Sequence, residues 1–63
     1  MWLQLMVKGK TALINSDRVI RIEEVREGGR VRGCNLYYSA TEFFAVDDGL
    51  VEIMQRLGFE PRS

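Results

Sequence analysis

Apolar and polar residues alternate along two segments that flank the pair Gly28-Gly29. Residues 19–25 and 31–37 are rich in β-branched side chains, and adjacent glycines between two such segments are typical of a β-hairpin. We predict a three-residue loop that begins at Glu27, since this register gathers the apolar residues of both segments on one face. Those residues are Ile20, Ile22, Cys34 and Leu36.

The predicted hairpin register also sets Glu24 opposite Arg32, which makes a favourable cross-strand ion pair. A two-residue loop would instead set Arg26 opposite Val31, which is a less favourable pair. Gly33 lies inside the second strand of the hairpin. A glycine at such a position indicates a β-bulge or the close approach of another backbone segment.

The same alternation predicts three further strands, at residues 2–8, 11–14 and 42–46. A turn over residues 8–10, Lys-Gly-Lys, joins the first two of these strands into an antiparallel hairpin. The sequence Asn-Ser-Asp at residues 15–17 is typical of a turn or of a single helical turn, because these side chains hydrogen-bond to their own backbone.

Residues 48–57 have the period of an amphipathic helix. Either Asp47 or Asp48 is expected to cap its N-terminus, since a carboxylate accepts hydrogen bonds from the unpaired backbone N–H groups there. Gly58 is expected to end the helix, and residues 59–63 to form a frayed tail. The apolar positions of the helix follow the spacing i, i+3, i+4 and i+7: Leu50, Ile53, Met54 and Leu57.

Together these elements predict a single domain, 1–63, of the α+β class. We expect a small curved antiparallel sheet of about five short strands, a β-meander or a barrel-like sheet, with one C-terminal amphipathic helix. A helix this short is unstable alone in water, so it must pack on one face of the sheet. The expected partners of the helix in the core are Leu5, Leu13, Ile20, Ile22, Leu36 and Phe44.

Composition bounds the functions open to the chain. Nine basic and nine acidic residues give a net charge of zero, which argues against a large electrostatic footprint for nucleic acid. With 46% hydrophobic residues the chain is globular, but 63 residues bury only a small core. One cysteine and no histidine exclude an internal disulfide and a zinc site. A homo-oligomer, first of all a dimer, is therefore the expected source of added stability.

The first residues lack an export signal, and no apolar run is long enough to span a membrane. A lone thiol is typical of a reducing compartment. The expected location is therefore the cytoplasm.

No group of residues predicts catalysis. Asp47, Asp48 and Glu52 form an acidic cluster, which we interpret as helix capping rather than as a set of metal ligands. Cys34 lies on the predicted apolar face, and the chain has no histidine to activate its thiol. We expect neither an enzyme nor a cofactor.

The aromatic and thioether side chains exceed what one short helix can cover. Those outside the predicted core are expected to form an apolar patch that binds a protein partner or a second subunit. The residues of this predicted patch are Trp2, Met6, Tyr37, Tyr38 and Phe43.

Three arginines crowd around the predicted hairpin tip, Arg26, Arg30 and Arg32. Basic residues beside exposed aromatic rings on a sheet are one way in which small β-proteins clamp single-stranded nucleic acid. Glutamates among the same arginines, such as Glu24 and Glu27, cancel much of this positive field. We therefore hold nucleic-acid binding as an alternative to protein binding.

With its elements placed, the chain resembles the FlbD-type family of small flagellar and swarming motility proteins. The resemblance covers roughly residues 3–57, and it implies a non-enzymatic accessory or regulatory protein. The residues that carry it are Leu3, Leu5, Gly9, Leu13, Ile14, Asn15, Ile20, Ile22, Glu23, Val46, Asp48, Glu52 and Ile53.

The chain is also similar to the carbon-storage-regulator (CsrA-type) RNA-binding family. The stretch VREGGRVRG resembles the central hairpin of that family, and AVDDGLVEIMQRL resembles its closing strand and helix. This resemblance implies binding of single-stranded RNA, but Asp48 stands where the family has a basic residue, and a carboxylate there would repel phosphate. A small inhibitor or adaptor encoded by a phage or mobile element is a further alternative.

Overall fold

The computed structural model describes residues 1–59, and over this range it contains five β-strands, a 3₁₀ turn and one α-helix. The strands are β1 (Trp2–Val7), β2 (Lys10–Asn15), β3 (Arg21–Glu27), β4 (Arg30–Tyr37) and β5 (Phe43–Val46). The 3₁₀ turn covers Ser16–Arg18, and the helix α1 covers Leu50–Leu57. The predicted α+β class, with antiparallel strands and a C-terminal helix, is confirmed. Apart from Phe59, the predicted tail 59–63 lies outside the described residues.

The bounds of the elements differ from the predicted ones by one or two residues. β3 begins at Arg21 instead of residue 19, because the backbone amide of Val19 donates to the carbonyl of Ser16 at 3.1 Å and closes the 3₁₀ turn. The side chain of Asn15 begins that turn by accepting from the amide of Asp17 at 3.1 Å. The local turn predicted at residues 15–17 is confirmed.

Within the described residues the strands form two antiparallel sheets that do not close into a barrel, where we predicted one curved sheet. β1 pairs with β2, and the second sheet has the order β3–β4–β5. The two sheets meet where β1 passes the end of β5, because the amide of Asp47 donates to the carbonyl of Met6 at 2.7 Å.

The loop of the central hairpin has two residues, so the predicted three-residue loop is wrong. Gly28 and Gly29 both have positive φ, 59° and 79°, which is the backbone conformation of the tight turn that matches the twist of two paired strands. Glu27 lies opposite Arg30 at the ends of the strands. The adjacent glycines make this tight turn favourable because they adopt positive φ without steric cost.

A β-bulge between Val25 and Arg26 shifts the register of the rest of the hairpin, which therefore differs from the predicted one. At this point β4 contributes one residue more than β3, so Val25 lies opposite Gly33. From there on Ile22 pairs with Leu36, where we predicted that it would pair with Cys34. The bulge keeps the apolar residues of both strands on one face in spite of the shorter loop.

Gly33 fits the bulge because the position has no room for a side chain. Its φ is 140°, and a Cβ atom there would overlap the carbonyl oxygen of Val46 in β5. The predicted close approach of another backbone segment to this glycine is therefore confirmed.

The core lies between the sheets and α1, and its buried members are Leu3, Leu5, Cys34, Leu36, Val46 and Ile53. The prediction of the core is wrong for two residues, because Leu13 is 68% exposed and Ile20 is 67% exposed. Leu13 lies opposite Gln4 in the β1–β2 register, and both side chains point away from the core. Ile20 precedes β3 and lines the open rim between that strand and the end of α1.

α1 presents Ile53 to the core, as its periodicity predicts. The N-cap is Gly49, and no side chain within residues 1–59 caps the helix, so the predicted aspartate cap is wrong. At the other end Gly58 adopts a left-handed conformation, and its amide donates to the carbonyl of Gln55 at 3.1 Å. The predicted helix end is therefore confirmed. None of the helical structure in residues 1–59 has the length and apolar character needed to cross a lipid bilayer.

Candidate interaction surface

Asp48 is buried, with its side chain 4% exposed, and both of its carboxylate oxygens accept hydrogen bonds. Oδ1 accepts from the backbone amide of Met6 at 2.6 Å, and Oδ2 accepts from Nη1 of Arg56 at 2.8 Å. The same Arg56 nitrogen donates to the carbonyl of Gln4 at 2.6 Å. Asp48 and Arg56 therefore fasten α1 to the edge of β1, which is why Asp48 is not free to cap the helix.

Asp47 also has a structural contact, since its Oδ2 accepts from the backbone amide of Gly9 at 2.9 Å. This bond holds the β1–β2 turn against the segment that follows β5. Within residues 1–59, no three His, Cys, Asp or Glu side chains come together in a way that could hold a metal ion. The two aspartates of the predicted acidic cluster therefore join elements of the fold.

Cys34 lies on the core face of β4 and is almost completely buried. Burial raises the pKa of its thiol, and the negative charges of Glu24 and Asp48 raise it further. A thiol with a raised pKa stays protonated at neutral pH, and the protonated form is a poor nucleophile. The predicted inert, buried character of Cys34 agrees with this environment.

The outer face of the β1–β2 sheet carries exposed apolar side chains. Residues that alternate with the core positions of both strands form this face, and we call it the Trp2 face. Trp2 is 67% exposed, and Leu13 is its diagonal neighbour across the strands. The Trp2 face consists of Trp2, Gln4, Met6, Thr11, Leu13 and Asn15.

Leu13 was missed as a surface residue because we predicted a three-residue turn at residues 8–10. The turn has two residues, Lys8 and Gly9, with φ of 51° and 77°. This register sets Leu5 opposite Ala12 and turns Leu13 outward. The sequence Lys-Gly is a signal for the shorter turn, since glycine adopts the positive φ that the turn requires.

The outer face of the β3–β4–β5 sheet carries a row of three side chains in contact, which we call the aromatic row. It consists of Arg21, Tyr37 and Phe43, which lie opposite one another on the three strands. The guanidinium carbon of Arg21 lies 3.9 Å from the centre of the Tyr37 ring, and the rings of Tyr37 and Phe43 are 4.9 Å apart. The contact of Arg21 with the Tyr37 ring is a cation–π interaction, and Phe43 extends the row through its contact with the same ring.

The five residues of the predicted patch do not form one surface. Trp2 and Met6 lie on the Trp2 face, whereas Tyr37 and Phe43 lie in the aromatic row on the other sheet. Tyr38 stacks on Phe44, with ring centres 6.1 Å apart, at the end of the core. The structure therefore divides the patch between two sheets and one end of the core.

Two of the three predicted nucleic-acid contacts lie in ion pairs with glutamates. Nε of Arg26 lies 2.7 Å from Oε1 of Glu24 on the same strand. Arg32 lies 3.8 Å from a carboxylate oxygen of Glu27, so the predicted cross-strand pair of Glu24 and Arg32 is wrong. Arg30 lies opposite Glu27 at the hairpin tip. The glutamates therefore offset the positive charge of these arginines.

An apolar cavity of about 360 Å³ opens at the rim where Ile20 was found. Ile20 and Phe59 flank this opening, and the side chains of Leu3 and Leu57 line it more deeply. This rim was not predicted, because we placed Ile20 within a strand and in the core, whereas β3 begins only at Arg21.

Comparison with known proteins gives no match: no family model, no curated protein and no solved structure is similar to this chain.

Proposed function

We propose that this protein is a non-catalytic cytoplasmic protein that acts by binding another protein, and that the Trp2 face is its binding surface. The observation that carries the proposal is the exposure of Trp2 and Leu13 as diagonal neighbours on one sheet face. Tryptophan supplies more binding energy at protein interfaces than most residue types, because it buries a large ring with little loss of conformational entropy.

The composition of the Trp2 face supports a protein as its ligand. Its apolar side chains alternate with uncharged polar ones, Gln4, Thr11 and Asn15, which suit the polar rim of an interface. Charged residues are depleted at the centre of protein interfaces, and the Trp2 face has none. The FlbD-type resemblance supports an accessory or regulatory role of this kind, and the buried free thiol of Cys34 suits the reducing cytoplasm.

Capture of partner proteins from an extract of the native host tests the proposal. Wild-type protein fixed to a resin should retain a defined host protein, and a Trp2→Ala variant should lose it, because the central ring of the face is gone. Val51→Ala is the matched control, since Val51 is also exposed but lies on α1. Equal capture by wild type and Trp2→Ala would contradict the proposal.

Single-stranded RNA binding is the second candidate function, and the aromatic row is the observation that favours it. Phe43 is 48% exposed at the end of a row that already holds an arginine against a tyrosine ring. Bases stack on such rings with little sequence preference. A mobility-shift titration with a mixed-sequence RNA at several salt concentrations tests this function. Binding that weakens on Phe43→Ala and falls steeply with salt would support it, and no shift would exclude it.

A further inference from the structure

The outer edges of β1, β3 and β2 differ in how they are protected from pairing with a strand of another molecule. The outer edge of β1 is closed by the chain itself, because Arg56 donates to the carbonyl of Gln4 while Asp48 and Asp47 bond to the backbone of Met6. A covered edge cannot pair with another strand.

The outer edge of β3 is open but highly charged. Five of its seven residues are charged: Arg21, Glu23, Glu24, Arg26 and Glu27. Charged side chains on an edge strand prevent it from pairing with a strand of another molecule.

The outer edge of β2 has neither form of protection in the part of the chain that the structure describes. Its sequence KTALIN contains one charge, at Lys10, and no proline. The register with β1 is regular, and the amide of Ser16 donates to the carbonyl of Met1 just beyond the strand ends. Because hydrogen-bonded and non-bonded pairs alternate, the N–H and C=O groups of Thr11 and Leu13 point to the open edge.

We propose that β2 pairs in antiparallel fashion with β2 of a second copy, around a two-fold axis at Leu13. The pairing joins the two small sheets into one four-stranded sheet, with Leu13 of each copy on the axis. This inference extends the proposed function in one respect, since it merges two Trp2 faces into a single larger binding surface.

The strand is complementary to itself in this register. Leu13 faces Leu13, and its outward N–H and C=O groups give the bonded pair that an axis at this position requires. Thr11 lies opposite Asn15, and Lys10 lies opposite Ser16 and next to Asp17 of the second copy. A net charge of zero adds no overall repulsion between the two copies.

The surface area that the pairing buries limits the affinity of the dimer. A single pair of six-residue strands buries less than the roughly 1,200 Å² of total area below which complexes are weak or transient. We therefore expect a dissociation constant on the order of micromolar, with monomer and dimer in exchange.

Sedimentation equilibrium of the full chain, from micromolar to millimolar concentration, tests the pairing. Wild type should pass from monomer to dimer over this range. Leu13→Lys should raise the dissociation constant by about tenfold or more, because two like charges would lie directly opposite each other. Val51→Lys, which places the same charge at an exposed position on α1, should dimerise like wild type.

Disulfide cross-linking tests the position of the axis. Paired residues on an antiparallel axis have Cα atoms about 5.5 Å apart, which a disulfide can span. Leu13→Cys should therefore form a covalent dimer on mild oxidation, and Val51→Cys, at an exposed position on α1, should not. The native Cys34 is buried in both variants.

The pairing is overturned if wild type stays monomeric throughout, if Leu13→Lys dimerises as wild type does, or if both cysteine variants cross-link equally. These results are independent of the proposed function. A strict monomer that still captures a host protein through Trp2 would refute the pairing alone. A dimer whose capture of host protein does not depend on Trp2 would refute the proposed function alone.

Discussion

Asp48 shows how burial decides the role of a charged side chain in this protein. In the sequence it looks like a helix cap, yet its carboxylate lies in the interior, where Arg56 and the amide of Met6 satisfy it. A buried charge without such partners would strongly destabilise the fold. Asp48 therefore joins α1 to β1, and its substitution should lower the free energy of unfolding.

Asp48→Asn should lower the free energy of unfolding by about 1–3 kcal/mol. The amide oxygen can still accept from Met6, but the ion pair with Arg56 is lost, and Arg56 is exposed enough to regain water in part. Urea unfolding followed by circular dichroism measures the change. Asp47→Asn is the control, since its exposed contact with Gly9 should be worth less than about 1 kcal/mol. Equal losses for both variants would refute the structural role of Asp48.

Cys34 makes the stability of the protein depend on pH at the alkaline end. Its folded-state pKa is raised, so above the ordinary thiol pKa of 9.0 the unfolded chain releases a proton that the folded chain retains. Folded protein then binds more protons than unfolded protein, and the free energy of unfolding falls as the pH rises. The stabilisation is fully present below the unfolded pKa and is lost as the pH rises toward the folded pKa.

Comparison of wild type with Cys34→Ala isolates the contribution of this thiol. The free energy of unfolding of wild type should fall more steeply above pH 9 than that of the variant. Parallel pH curves for the two proteins would show that Cys34 does not titrate as its surroundings indicate. Urea midpoints measured at several pH values supply both curves.

Among the elements, the two hairpins show what could and could not be predicted from the sequence. The existence and order of the strands and the helix followed from hydrophobic periodicity, which is a property of each segment alone. Strand register depends on the loop, and in both hairpins we predicted three loop residues where there are two. The error in the first hairpin placed the exposed Leu13 in the core, whereas Ile20 is exposed because it precedes β3.

The bulge and the Asp48 contacts arise from tertiary packing, so sequence periodicity could not predict them. The bulge in β4 depends on the approach of β5, and Asp48 bonds to Met6, which is 42 residues away along the chain. The same limit applies to the candidate surface. Trp2, Met6, Tyr37 and Phe43 were identified correctly as residues outside the core, but their division between two sheets depends on the strand registers.

Gly33→Ala tests the bulge that defines the central hairpin. The substitution needs an unfavourable positive φ and drives a methyl group into the Val46 carbonyl, so it should cost about 3 kcal/mol or more, or prevent folding. Gly29→Ala is the matched control, because Gly29 also has positive φ but faces open space, and it should cost about 1–2 kcal/mol. Thermal unfolding of both variants measures the difference, and equal costs would contradict the close approach of β5.

In the whole molecule, the small core and the large exposed apolar surface have the same cause, which is the short length of the chain. The one helix within residues 1–59 can cover one side of the sheets, so Trp2, Leu13 and Phe43 remain exposed to solvent. Contact with other molecules is the function that such a surface supports. The proposed pairing of β2 and the proposed binding of a partner by the Trp2 face both draw on it, and they are tested separately.

Fluorine NMR of the protein labelled with 5-fluorotryptophan tests the central claim most directly, because Trp2 is the only tryptophan in the sequence. In buffer the label should give a resonance typical of an exposed ring. Addition of native host extract should shift or broaden that resonance as the Trp2 face binds its partner, whereas serum albumin at equal concentration should leave it unchanged. A resonance that stays sharp and unshifted at every concentration of host extract would contradict the claim that this protein acts through the Trp2 face.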